Sequence, residues 1–292
     1  MGERAGAEKC AGGRISPMTA ESIRAALVRG AAALSATSET ARLDAELLMA
    51  HALGVSRDAM LLGRLDDPAP AGFAPLLARR VAHEPVAYIV GERDFWTISL
   101  KVGPGVLIPR PDSETLIEAA VGHFGAKGPA RILDLGVGSG ALLLAALAQW
   151  PAASGIGVDR SAAAAAIARD NAARLGLAGR AEIRLGDWAE GIDERFDLLL
   201  CNPPYVESGA ILAPDVAEHE PASALFAGPD GLDDYRRLAP MIGGLLAARG
   251  LAAIEIGAEQ GDAVIALFAR HGLAGSVRRD LAGRDRAILV RA

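Results

Sequence analysis

Arg131-Ile132-Leu133-Asp134-Leu135-Gly136-Val137-Gly138-Ser139-Gly140 is a short apolar run that ends in a glycine-rich turn, and a second apolar stretch, 141–150, follows it. The order predicts strand, tight turn, helix. Glycines at 136, 138 and 140 let the backbone turn sharply and approach a ligand, just where a helix N-terminus presents free amides. Downstream the alternation continues. Strands are expected at 155–159, Ala181–Leu185, 197–201 and 251–256, with 276–279 and 286–290 closing the set. Residues 161–175, 233–248 and 260–270 read as helices between them. Such alternation implies an α/β fold, a mostly parallel seven-stranded sheet with helices on both faces.

Upstream the character differs. Residues 1–17 mix Gly, Ala and charge without periodicity and are expected to be a disordered tail. Residues 18–84 read as a small helical bundle. Thr19 is placed to cap a helix carrying Ile23, Ala26, Leu27 and Leu34, and Ser38 a second with Leu43, Leu47 and Ala50 on one face. Residues 58–62 suit a short helical turn, and after Pro68-Ala69-Pro70 the set Phe73, Leu76, Leu77, Arg80 and Val81 has helical spacing, with Arg80 the polar exception. Residues 85–108, rich in β-branched and aromatic side chains from Val86 to Trp96, predict a β-hairpin joining this unit to the domain of residues 109–292. The alternating prolines of Ile108-Pro109-Arg110-Pro111-Asp112-Ser113-Glu114 make a stiff, extended segment before a helix that Asp112 or Ser113 is placed to cap.

Chemistry concentrates at the ends of the expected strands. The apolar run 196–201 leads into Asn202-Pro203-Pro204-Tyr205, whose prolines stop the strand. Asn202 then sits at its C-terminal lip, where open α/β sheets hold ligands. A side-chain amide, a free backbone carbonyl and an aromatic ring converge there, a set suited to a planar NH2-bearing group. Asp159 ends the strand after the glycine turn, placed to accept from both hydroxyls of a ribose. The spacing Gly136-x-Gly138-x-x-Ala141 also satisfies the dinucleotide pattern, so NAD is an alternative. Asp134, placed to hold a cationic amino group, and Asp187-Trp188, an acceptor and a ring for an adenine, favour S-adenosyl-L-methionine.

Composition narrows the classes. The chain of 292 residues has a net charge of −6 and 51% hydrophobic residues. No basic stripe is evident, so stable nucleic-acid binding is not expected. The cysteines, Cys10 and Cys201, fall in the tail and in a core strand; a disulfide between them is not expected, which fits a reducing, cytoplasmic setting. The longest apolar stretch, 141–148, is too short to span a bilayer. The five histidines show no ligand spacing, so no metal is expected.

The glycine turn, Asp159, Asp187-Trp188 and Asn202-Pro203-Pro204-Tyr205 resemble Rossmann-like class I S-adenosylmethionine-dependent methyltransferases acting on planar amino groups. Phe95-Trp96, the Ile108–Glu114 segment, Glu220-Pro221, Gly231-Leu232 and Tyr235 narrow the resemblance to the PrmC/HemK family, the peptide chain release factor N5-glutamine methyltransferases. Val137 and Ser139 stand where threonines are commoner, as does Ser113. The resemblance implies a glutamine acceptor in a Gly-Gly-Gln loop of class 1 release factors, with S-adenosyl-L-homocysteine as the other product. It implies cofactor contacts from Asp134, Gly136, Val137, Gly138, Ser139, Gly140, Asp159, Asp187, Trp188 and Asn202. Asn202, Pro203 and Tyr205 are the expected catalytic residues, joined by Pro204, Arg110 and Glu114 on the substrate side. A monomer is expected. A ribosomal-protein glutamine or a nucleic-acid adenine amino group suits the same clamp as an alternative acceptor.

Overall fold

The structure, a computed structural model, describes residues 21–291. The expected tail over 1–17 and the capping role of Thr19 lie outside the described residues. The chain divides into two compact units at Val81 and Ala82.

Among the described residues the first unit contains four helices: α1 (Ile23–Leu34), α2 (Ala41–Leu53), α3 (Arg57–Gly63) and α4 (Phe73–Val81). Ser22 caps α1, its hydroxyl accepting from the Ala25 amide at 3.3 Å. Ile23, Ala26, Leu27 and Leu34 are buried as their spacing predicts. Helix α2 departs from expectation. It starts after Thr40, and the Ser38 hydroxyl donates to Asp44 at 2.8 Å instead of capping the helix. Leu43 is exposed, while Ala45, Leu48 and Met49 are buried beside Asp44 and Glu46. Ion pairing explains the rotated face. The Arg80 guanidinium donates to Asp44 at 2.8 Å with both side chains buried, and Arg42 and Arg57 pair with Glu46. A buried carboxylate is tolerable only with such partners.

The second unit opens with α5 (Val86–Val90), where sequence composition predicts strand. Pro85 starts the turn, its carbonyl accepting from the Tyr88 and Ile89 amides, and the Tyr88 hydroxyl donates to the Val106 carbonyl at 2.5 Å. Tertiary contact thus overrides the strand preference of the Val and Ile residues. The hairpin is the shorter pair β1 (Glu92–Phe95) and β2 (Ile98–Lys101). A 3₁₀ turn, Pro111–Ser113, leads into α6 (Glu114–Phe124) without a side-chain cap from Asp112 or Ser113.

There follow β3 (Arg131–Leu135), α7 (Ala141–Gln149), β4 (Ser154–Asp159), α8 (Ala162–Arg174), β5 (Ala181–Leu185), β6 (Phe196–Cys201), α9 (Pro214–His219), α10 (Asp233–Leu245), β7 (Leu246–Glu255), α11 (Gly261–Ala269), β8 (Gly275–Arg279) and β9 (Asp285–Arg291). The sheet order is β5-β4-β3-β6-β7-β9-β8. The first five strands are parallel, and β9 runs antiparallel to β7 and β8. Alternate residues feed two cores: Ile132, Leu198, Leu200 and Leu251 pack with α6, α7 and α8, while Leu133, Leu135, Leu199 and Ile254 pack with α10 and α11. Burial on both faces is why these strands read as continuous apolar runs.

Helix α10 runs through Pro240 but ends at Leu245, short of the expected 248. Strand β7 begins there and carries an irregularity opposite Phe196 and Leu198, with Arg249 at φ 67°. A Cβ on Gly250 would lie 2.8 Å from the Ala247 carbonyl oxygen, so only glycine fits this bulge.

Arg80→Ala should destabilise the chain by about 3 kcal/mol, because it strips a buried carboxylate of its guanidinium partner. Arg24→Ala, at an exposed ion pair, should cost under about 1 kcal/mol. Urea unfolding followed by circular dichroism checks the contrast.

Candidate functional site

The chain leaves β3 to build β4 and β5 outward, then returns to place β6 on the other side of β3. Between β3 and β6 lies the switch point at which open α/β sheets form a ligand crevice. Leu135 is paired with Cys201, so Gly136 and Asn202 emerge side by side from adjacent parallel strands. A cleft opens there. Asp134, Gly136, Val137, Gly138, Ser139, Asp159, Asp187, Trp188, Asn202 and Pro204 all line it.

The glycine turn is held from below. The Gly136 and Val137 amides both donate to the Val158 carbonyl at 2.9 Å, and the Gly138 amide donates to Asp159 Oδ2 at 2.9 Å. Gly136 has φ 78°, so the backbone selects glycine, and a Cβ there would just touch the Trp188 ring at 3.4 Å. Asp159 Oδ1 accepts from the Ser161 amide at 2.8 Å. Each Asp159 oxygen keeps a lone pair for a ligand hydroxyl. Gly140 starts α7 and does not line the cleft; its own demand is against Leu144, whose Cδ1 would lie 2.7 Å from an added Cβ.

Asp134 is buried at the floor. Its Oδ2 accepts from the Leu143 amide at 3.0 Å, while Oδ1 has no hydrogen-bond partner. Burial pushes its carboxyl up to about 7, with the nearby Asp159 charge adding to the rise and the Leu143 amide opposing it. An orphaned buried acceptor facing a cleft suits a cationic group of a ligand.

Other expected residues are engaged differently. The Asp187 carboxylate receives Arg237 at 2.5 Å, leaving Trp188, at φ 50°, as the ring over the glycine turn. Asn202 Nδ2 donates to the Ser113 hydroxyl at 3.3 Å, which turns Oδ1 free. Pro203 and Tyr205 do not line the cleft. The Tyr205 hydroxyl donates to Glu255 Oε1 at 3.3 Å, and burial beside that carboxylate raises its pKa. Arg110 pairs with the buried Glu220, whose other oxygen accepts from the Ile108 amide at 3.0 Å. Glu114 accepts from the Trp96 amide at 2.8 Å, fixing the hairpin turn. Arg110 and Glu114 thus brace the walls of the site.

Several contributors escape sequence reading. Arg160 donates to the Ser223 carbonyl at 2.8 Å across the cleft rim. Asn171, fully buried, donates to the Ser139 and Lys101 carbonyls at 2.9 and 3.0 Å and accepts from the Lys101 amide, tying the hairpin to the glycine turn. Its signal was available: it shares the buried face of α8 with Ala164, Ala168 and Ala172. Glu255, an acid closing an apolar strand, is 1% exposed with its carboxyl pushed up to about 7 by burial, against the lowering influence of Ser113, Arg286 and Tyr205. Among the described residues no group of three His, Cys, Asp or Glu is arranged to hold a metal, and no helix is long and apolar enough to cross a membrane.

Two family models match: the PrmC N-terminal domain over residues 25–91 and the methyltransferase small domain over 113–219. A release factor glutamine methyltransferase of Cereibacter sphaeroides is 47% identical over 93% of this chain and 98% of its own length. The chain belongs to the release factor glutamine methyltransferase family. A second member, from Rhodospirillum rubrum, is 44% identical over 87% of this chain and 79% of its own. Among solved structures, a methyltransferase from Pyrococcus furiosus superposes with a TM-score of 0.52 at 15% identity, covering 75% of this chain and 98% of that one. A Thermus thermophilus 16S rRNA N2 G1207 methyltransferase gives 0.51 at 19%, over 68% and 49%. These two share the fold with this member of the glutamine methyltransferase family.

Asp134 gives a pH signature. Its folded-state pKa near 7 exceeds the unfolded value of 3.8, so its favourable contribution is full below 3.8 and is lost as pH rises through 7. Asp134→Asn keeps an acceptor for Leu143 and does not titrate. It should match the unaltered chain near pH 4 and exceed it at pH 8 by on the order of 2 kcal/mol or more, measured by urea unfolding at both pH values.

Proposed function

We propose that the chain transfers a methyl group from S-adenosyl-L-methionine to the side-chain nitrogen N5 of the glutamine in the Gly-Gly-Gln motif of class 1 peptide chain release factors. The observation that carries this reading is Asn202, held beside Gly136 at the sheet's switch point with its amide oxygen free. The cleft suits the cofactor. Asp134 Oδ1 is an unpaired acceptor for its ammonium group, Asp159 retains lone pairs for ribose hydroxyls, and Trp188 offers a face for the base. When bound, the cofactor supplies an electrophilic sulfonium methyl.

The rest follows from the chain's own groups. An amide nitrogen is a weak nucleophile, because its lone pair is delocalised into the carbonyl. Asn202 Oδ1 and the Pro203 carbonyl, which takes no hydrogen bond among the described residues, accept the two amide hydrogens and aim the nitrogen. Rate enhancement then comes from orientation and from acceptors fixed in advance, not from a strong base, and the nitrogen releases one proton to solvent after it has been alkylated. Tyr205 closes the lip, its hydroxyl tethered to Glu255. Residues 18–84 and the hairpin segment 85–108 dock the release factor, and residues 109–292 carry the chemistry. The chain acts as a monomer in the cytoplasm without stable nucleic-acid contact, consistent with its net charge of −6.

The test offers purified release factors, ribosomal proteins and DNA with methyl-labelled cofactor, followed by mass mapping of the labelled atom. Label on release factor glutamine N5 is expected; label only on a ribosomal protein or on adenine contradicts the reading. Asn202→Ala should lower transfer by about 100-fold or more while cofactor affinity holds. Asp159→Ala should instead weaken cofactor binding by about tenfold or more in calorimetry.

A further inference from the structure

Glu255 closes β7, the strand next to β6, and its carboxylate lies beneath the Asn202–Tyr205 lip. It is 1% exposed. Oε1 accepts from the Tyr205 hydroxyl at 3.3 Å, and Oε2 has no hydrogen-bond partner. The Ser113 hydroxyl, which receives Asn202 Nδ2 at 3.3 Å, lies beside the same carboxylate. Arg286 and Asp112, themselves paired at 3.0 Å, are the charged neighbours. The Tyr235 hydroxyl donates to the Glu255 backbone carbonyl at 2.9 Å and so fixes the strand end without satisfying the side chain.

A carboxylate this buried and half-partnered does not stabilise a fold; an apolar side chain of similar size does so better. Its geometry has another use. We propose that Glu255 is a positioning residue for the glutamine: its carboxylate accepts from the Tyr205 hydroxyl and so holds the Tyr205 end of the Asn202–Tyr205 lip in place. The proposal rests on the reading of that lip as the amide clamp. No contact between Glu255 and substrate is implied, since Glu255 does not line the cleft.

Three variants separate positioning from scaffold. Glu255→Leu removes the acceptor. It should lower kcat/KM for the release factor by about 10- to 100-fold, the effect of losing one hydrogen bond to a charged group. Calorimetric Kd for S-adenosyl-L-homocysteine should stay within about twofold and Tm should not fall, as expected for an apolar replacement of a buried charge. Glu255→Gln retains an acceptor oxygen and should stay within about threefold of the unaltered chain. Tyr205→Phe combined with Glu255→Leu should lose little more than the worse single variant, because both remove one contact. Near-unaltered kcat/KM in Glu255→Leu, multiplicative losses in the double variant, or a Gln variant as impaired as Leu with a lowered Tm would each overturn the proposal.

A readout independent of substrate completes the test. The chain has three tyrosines, so 13Cζ-tyrosine labelling gives three resonances, assigned with Tyr205→Phe. The Tyr205 signal should shift in Glu255→Leu with S-adenosyl-L-homocysteine bound, and an unmoved signal would overturn the proposal. Failure of the unaltered chain to methylate any release factor would contradict the functional reading instead, and the Tyr205 resonance would still decide whether Glu255 sets that side chain.

Discussion

The pairing of Leu135 with Cys201 is the constraint on which the site depends. Because β3 and β6 are parallel and in this register, both chains leave the sheet at the same height and on the same edge. One leaves as a glycine turn, which can come close to a ligand, and the other as Asn202-Pro203-Pro204, which cannot continue the ladder. A register slip by one residue would exchange the two faces of β6 and bury Asn202 in the core of α10 and α11. The apolar runs of both strands exclude that slip, since every residue from Leu198 to Cys201 already has a packed side.

Polar groups around the crevice are spent on geometry. Asp159 holds the Gly138 amide, Asn171 bridges the hairpin and the Ser139 carbonyl, Glu220 joins the Ile108 amide to Arg110, and Glu114 holds the Trp96 amide. Each uses a buried or half-buried side chain to fix a backbone atom of another segment. Two carboxylates remain under-satisfied, Asp134 at the floor of the cleft and Glu255 beneath the Asn202–Tyr205 lip. Both lie at C-terminal strand ends, and both sit in surroundings that raise their pKa to about 7. That cost is borne at the two positions flanking the proposed path from methyl donor to amide.

Much of this is legible in the amino-acid sequence. The strand limits at Arg131–Leu135 and Ala181–Leu185 follow directly from apolar runs bounded by glycine or charge, and the glycine turn, Asp159 and Asn202 occupy the expected strand ends. What could not be read were long-range polar pairings. Nothing local says that Arg80 will meet Asp44, and without that pair the spacing of α2 assigns Leu43 rather than Met49 to the buried face. The helix at Val86–Val90 opposes its composition because Tyr88 reaches the Val106 carbonyl. Arg110 and Glu114 were chemically plausible substrate contacts, yet each already has a partner 18 or 110 residues away. Tyr205 was expected to offer its ring to the cleft, and its tether to Glu255, 50 residues on, is a fact of the sheet order.

The central claim is that a fixed pair of acceptors beside the glycine turn grips a carboxamide. A crystal structure of the chain with S-adenosyl-L-homocysteine and a peptide containing Gly-Gly-Gln measures it most directly. The account predicts the glutamine side-chain nitrogen at about 3 Å from both Asn202 Oδ1 and the Pro203 carbonyl, with the cofactor over Gly136–Gly138. A glutamine seated away from Asn202, or a cofactor bound outside the β3–β6 crevice, would contradict it.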